Sequence, residues 1–286
     1  MSATAALAGA VRLPRSLIWV EGPDAGSFLH GLLSNDVAAL AEGEATDTLL
    51  LDAKGHIVAR AAVHRDAEEA FTLVCAPSQA EVLTAELERF HFSEDLDILG
   101  PEPADALVVP AGVRVEGAVR VPGPLPGTVV VVPDDAGAAL AALGVPEVDA
   151  AVLEDLRIRS GVAEVGTDTG PSTLVQEARL QDATVSFTKG CYLGQETVAR
   201  AQFRGRVNRV LRRLDLGAAP ASLPAEVRHE GKVVGSLTSA TTPDAEPVVG
   251  LAILRHEVGA GAAVEVAGSG PAVVRDGVGD KDDPAS

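Results

Sequence analysis

Lys189-Gly190-Cys191-Tyr192-Leu193-Gly194-Gln195-Glu196 is the segment from which the rest of the chain can be read. It carries the single tyrosine and one of two cysteines, set between glycines, in a chain of 286 residues otherwise rich in small aliphatics. Glycines around a cysteine open backbone angles that other residues resist, so the thiol can be presented at a tight turn. A strand is expected before the octapeptide, over Thr184 to Phe187, and a short helix after it, over Glu196 to Ala201. A helix N-terminus and the adjacent Lys189 would both favour a thiolate, which makes Cys191 the candidate reactive thiol. Cys75 differs: it alternates with Phe71 and Leu73 and reads as an inert core residue of a strand.

Upstream, Gly22-Pro23-Asp24 opens a helix, and Ala25, Phe28, Leu29, Leu32 and Leu33 give it one apolar face. Ser34-Asn35-Asp36 ends it, with Asp36 read as helix punctuation. Thr46 to Leu51 is a strand, Asp52 to Gly55 a turn of the Asx type, and Ile57, Ala59, Ala61 and Val63 the inward positions of the returning strand. Pro77 starts a helix whose Ala80, Leu83, Leu87 and Phe90 share a face. Strand fragments are expected at Leu107 to Val109, Val113 to Val115 and Val129 to Val132, then helices at Ala136 to Leu143 and Ala150 to Arg159. Hairpins dominate, so the class is α+β rather than a doubly wound parallel sheet. Beyond Arg206 short strands recur at Val207 to Leu216, Gly231 to Thr238, Val248 to Leu254, Ala263 to Val266 and Ala272 to Val274, as in a small β-barrel.

Composition narrows the partners. Forty-one acidic against 23 basic residues give a net charge of -18, and aromatics are 3% of the chain. Nucleic acid and anionic membranes are therefore poor partners, and base-stacking surfaces are not expected. No apolar run approaches the ~20 residues of a membrane span. The small, weakly charged start of the chain does not read as a secretory signal, and two cysteines without a CxxC exclude a disulfide framework, so a cytoplasmic protein is expected. GxxxxGK[ST], GxGxxG after a strand, GxSxG and HExxH are all absent. The six histidines form no metal pattern and read as surface or structural groups, so no metal ligand is assigned.

KGCYLGQE resembles the signature of the YgfZ-type folate-binding proteins, relatives of the glycine-cleavage T-protein. GPDAGSFLHGLLSNDV, LLLDAKGHIVAR, LEDLRIRSG, VQEARL and VARAQFRGRVNRVLRRL resemble family segments in the family order, so the likeness runs from about Leu17 to Arg255. It implies two ferredoxin-like α+β domains and a C-terminal β-barrel, arranged as a ring around a channel for tetrahydrofolate. The expected partition is 1–100, a first α+β unit completed by later segments; 101–205, a second α+β unit with the octapeptide; 206–275, the barrel; and 276–286, a disordered acidic tail.

The resemblance also implies roles. Glu196 would hydrogen-bond the pterin, Cys191 is the signature thiol, and Tyr192, Lys189 and Gln195 would shape the folate site around them. Arg206, with Arg200 and Arg204, could reach the glutamate tail of a folate. The implied function is that of an accessory protein in iron–sulfur cluster assembly or repair, whose partners are client or assembly proteins and a reduced folate. Two alternatives are a folate-dependent one-carbon transferase and a non-catalytic protein-binding module with a vestigial channel. The T-protein carries an essential aspartate after its hairpin turn, whereas Lys54 to Arg60 here holds no carboxylate, which argues against aminomethyltransferase activity.

Overall fold

The computed structural model describes residues 7–203, 205 and 207–275. Arg204, Arg206 and the expected tail 276–286 lie outside the described residues. Two compact units emerge: residues 7–150 with Gln181–Arg200, and residues 151–180 with the described residues from 201 to 275.

In the first unit, alternation along β1 (Val11–Glu21) buries Ile18 and Val20 completely. The helix α1 (Ala25–Leu32) adds Ala25, Phe28, Leu29 and Leu32 to the same core, as its 3.6-residue spacing predicts. The strands β2 (Ala45–Leu51) and β3 (Ile57–Ala67) form the expected hairpin, with Ala59, Ala61 and Val63 turned inward. Next, β4 (Ala70–Cys75) pairs with β3 and β1 and buries Phe71, Leu73 and Cys75, and α2 (Pro77–Phe90) covers them with Ala80, Leu83 and Leu87. Burial pushes the Cys75 thiol up to about 11, as suits an inert core position.

The strand β5 (Asp97–Pro110) extends well beyond the expected Leu107 to Val109, lying along nearly all of β1. Val113 to Val115, expected as a strand, is not one: Val113 N–H turns back to the Pro110 carbonyl. Its valines still pack on the apolar cluster of Leu107, Val109 and Val131, so their hydropathy reflects burial without strand pairing. The sheet is completed by β6 (Val119–Pro122) and β7 (Thr128–Val132), and α3 (Ala136–Leu143) packs Ala136 and Ala139 on the same cluster. The seven strands run in the order β2-β3-β4-β1-β5-β7-β6, and β6 returns against β2 and β3, so the sheet is curled.

The chain then continues through α4 (Ala150–Arg159), α5 (Gln181–Thr184) and α6 (Gln195–Phe203). The expected strand Thr184 to Phe187 is absent, because Thr184 ends α5. Ser186 N–H bonds the Ser34 carbonyl, and Ser34 Oγ donates to the Thr184 carbonyl at 2.6 Å, so this backbone pairs with a loop and not with a strand. The stretch 101–205 is thus distributed: 101–150 and 181–200 belong to the first unit, 151–180 and the described residues from 201 to 205 to the second.

The second unit holds β8 (Arg209–Leu216), β9 (Ala225–His229), β10 (Lys232–Ala240), β11 (Val248–Arg255), β12 (Ala263–Val266) and β13 (Gly270–Arg275). They close into a barrel in the order β10-β11-β8-β13-β12-β9 around Leu214, Val227, Leu237, Leu254 and Val274. Closure removes the exposed edges that such short strands would otherwise present. A buried ion pair fastens α4 to this barrel. Arg157, 3% exposed, donates to Asp168 Oδ2 at 2.7 Å and to Ser239 Oγ of β10 at 2.9 Å. Asp168 Oδ1 accepts from Thr238 Oγ1 and Ser239 Oγ, both at 2.6 Å.

Candidate functional site

The C-terminal end of α1 leaves backbone carbonyls without helical partners. Lys189 fills that gap: its Nζ donates to the carbonyls of His30 at 2.5 Å, Leu33 at 2.6 Å and Asn35 at 3.1 Å. A cation at a helix C-terminus also meets the negative end of the helix dipole. The same ammonium lies 5.0 Å from the centre of the Tyr192 ring. Its hydrogen bonds therefore serve to anchor the octapeptide to α1. Burial pulls the Lys189 ammonium down to about 8, against a smaller opposing effect of Asp36.

The far end of the octapeptide is fixed differently. Gly194 has φ +80°, and a Cβ there would lie 2.5 Å from the Asp52 carbonyl oxygen. Gly55, at φ +81°, would place a Cβ 2.8 Å from Thr197 Cβ. Only glycine at both positions allows the β2–β3 turn to seat against the first turn of α6. Asp52 shapes that turn as the expected Asx motif, its Oδ1 accepting from Lys54 N–H at 2.8 Å and His56 N–H at 2.9 Å. Its Oδ2 lies 2.9 Å from His56 Nδ1. Burial raises the Asp52 carboxyl, but the hydrogen bonds from His56 and Lys54 outweigh it and hold the group below the usual carboxylate value.

Between these two anchors the expected site residues separate by exposure. Cys191 is exposed, in contrast to Cys75. Tyr192 is buried, which pushes its phenol up to about 12, and Gln195 is half-buried at the start of α6. The Glu196 side chain is 86% exposed and pairs with Arg200 at 2.6 Å, one turn along the helix. Exposed pairs of this kind are weak, so the carboxylate is accessible to a competing donor. Arg206, expected at a folate tail, is outside the described residues.

Two histidines read from sequence as surface or structural groups lie beside this loop and turn. A Cβ built on Gly190 would be 3.7 Å from His30 Nε2, which brings that ring next to the cysteine-bearing backbone. His30 Nδ1 is 3.3 Å from the Ala38 N–H, and burial, followed by the charge of Lys189, lowers its pKa while Asp36 acts in the opposite sense. His56 is the other, held by Asp52. The only local signal was position: His30 stands in the last turn of a helix, and His56 follows a turn glycine. Among the described residues, no three His, Cys, Asp or Glu side chains gather to hold a metal ion.

Residues 15–100, which include the docked hairpin, match the GCVT N-terminal domain family. A tRNA-modifying protein YgfZ from Edwardsiella ictaluri is 31% identical over 220 residues, covering 67% of this chain and 66% of that protein. The chain belongs to the YgfZ family. Another relative, an iron–sulfur cluster assembly factor IBA57 homolog, mitochondrial, from Pyricularia oryzae, is 30% identical over 243 residues, 77% of this chain and 60% of that protein. The YgfZ-family chain thus spans somewhat under two thirds of the length of these two curated relatives. The crystal structure of glycine cleavage system aminomethyltransferase T from Bartonella henselae matches with a TM-score of 0.77 at 23% identity, over 94% of this chain and 86% of that one. That likeness establishes the T-protein fold for this YgfZ-family member.

Proposed function

We propose that this YgfZ-family chain is a folate-binding accessory protein in iron–sulfur cluster assembly or repair. The observation that carries the reading is one loop–helix junction, anchored at both ends, that presents an exposed thiol, Cys191, and an exposed carboxylate, Glu196. The names of the YgfZ and IBA57 relatives support the biological setting.

A carboxylate suits a pterin because its two oxygens can accept from a ring N–H and the exocyclic amine together. Glu196 fits that task, since its present partner is the exposed Arg200, and Gln195 beside it offers an amide. Bound tetrahydrofolate would supply a reduced pterin able to carry one-carbon units. Lys189 and Tyr192 would act from beneath, keeping the junction in place. Stable clusters use about four protein ligands, so Cys191 would contact a cluster only together with a client or assembly protein. Two unpaired cysteines suit the reducing cytoplasm, where we place the chain. Transferase chemistry is less well served: Asp52 is the acidic group of the hairpin turn, and its oxygens already accept from Lys54 and His56.

Calorimetric titration with 5-formyltetrahydrofolate tests the reading. Micromolar binding is expected for the intact protein and a loss of tenfold or more in Glu196→Ala; no binding by the intact protein would remove folate from the function. Cys191→Ala should keep folate affinity within a few-fold while abolishing support of iron–sulfur enzymes in cells. At pH 8, iodoacetamide should label Cys191 at least about a hundredfold faster than Cys75, read by peptide mass spectrometry, with Cys75 labelled only on unfolding.

A further inference from the structure

One end of the barrel carries a cavity of about 630 Å³ lined by Val207, Asn208, Arg209, Arg255, His256 and Glu257. That volume lies within the ~300–1,000 Å³ range of small-molecule sites. Its walls come from the start of β8 and the end of β11, which pair so that Arg209 stands directly opposite Arg255. Like charges facing each other across two strands destabilise the pairing unless a counter-charge lies between them. Among the described residues, Arg209 has no ion-pair partner, and Arg255 has Glu257 alone, at 3.7 Å with both side chains exposed. His256 is held by its backbone N–H on the Asn208 carbonyl at 2.9 Å. Its ring Nδ1 is buried and lacks a hydrogen-bond partner among the described residues. Two guanidinium groups against one carboxylate leave the cavity lining net positive, on a chain whose net charge is -18.

We propose that this cavity binds a ligand bearing a multiply charged oxyanion group, a phosphate or a polycarboxylate. Guanidinium forks match the paired oxygens of both, and Arg209 and Arg255 approach such a group from adjacent strands. The His256 ring lines the same cavity and lies beside that group. Glu257 works against the anion and sets an upper limit on affinity. The inference does not rest on the folate reading, because none of its residues belongs to the octapeptide junction.

Calorimetry on the whole chain at low ionic strength, with inorganic pyrophosphate and γ-linked triglutamate as separate probes, decides it. At least one probe should bind with a stoichiometry of one, weaken about tenfold or more in Arg209→Gln and in Arg255→Gln, and tighten in Glu257→Gln. Pyrophosphate binding alone identifies a phosphate ligand, triglutamate binding alone a polycarboxylate, and binding of both recognition by charge. Glu196→Ala should leave these affinities unchanged, which separates this site from the folate reading. In the wild-type protein the His256 ring resonances should shift on titration, a readout that needs no variant. Failure of both probes to bind, binding that survives both arginine substitutions, or binding without a His256 shift would each overturn the proposal.

Discussion

Lys189 and Arg157 are both buried cations, one in each unit, and the chain holds them by opposite means. Lys189 sits among neutral carbonyls, which orient the ammonium without cancelling its charge, and burial pulls it down to about 8. Arg157 sits between Glu154 and Asp168, and although burial opposes its charge, these carboxylates raise its pKa overall. A guanidinium cannot shed its proton in any accessible range, whereas a lysine caged by carbonyls can. The barrel unit is therefore fastened by a cation that keeps its proton, and the octapeptide by one that can release it.

The largest effect expected from this contrast is that of Asp168→Ala. It leaves Arg157 without its buried counter-charge, and loss of one partner of a buried pair costs about 3–5 kcal/mol, measurable as a fall in the urea midpoint by circular dichroism. A cost under about 1 kcal/mol, the scale of exposed pairs, would break the comparison. Lys189→Met should cost less, about 1–3 kcal/mol for carbonyls left unsatisfied. Its effect should also be local, with amide exchange rising in the loop from Ser186 to Gly194 and little change in the barrel strands. A cost equal to that of Asp168→Ala would mean that Lys189 is fastened as firmly as Arg157.

The smallest effect is the most specific. The folded pKa of Lys189, about 8, lies below the ordinary lysine value of 10.5. Between those values the unfolded chain retains a proton that the folded chain has released, so this group's contribution to stability rises with pH across that window and is lost as pH falls through 8. The stability difference between wild type and Lys189→Met should therefore shift in favour of wild type from pH 8 to pH 10. Asp168→Ala should show no comparable trend attributable to Arg157.

Much of the architecture was legible in the sequence because it is written in short-range periodicity. The faces of α1 and α2, the β2–β3 hairpin and five of the six barrel strands all announce themselves through spacings of two or 3.6. The exception in the barrel, β9, offers only Ala225 and Val227 on its inner face between Glu226 and Arg228, too little alternation to stand out. Val113 to Val115 and Thr184 to Phe187 failed for a related reason, since β-branched and apolar residues report burial before they report hydrogen-bond pairing. In the site, Cys191 and Glu196 were legible because the octapeptide is compositionally unlike its surroundings. The anchoring by Lys189 was not, because its acceptors lie more than 150 positions away. Asp168 escaped notice entirely: its partners Arg157 and Ser239 stand 11 and 71 positions from it, and no local pattern joins them.

The carbonyls at the end of α1 have one further implication, for the order of events at the ribosome. Their closing cation is encoded more than 150 codons later, after the chain has left the first unit and returned to it. At about 5–20 residues per second of synthesis, that helix end emerges on the order of ten seconds before Lys189 exists to close it. The nascent chain must carry an unfinished first unit through that interval, and the segment that completes it is the same one that displays the thiol. Cys191 therefore reaches its exposed position at the moment this unit becomes whole.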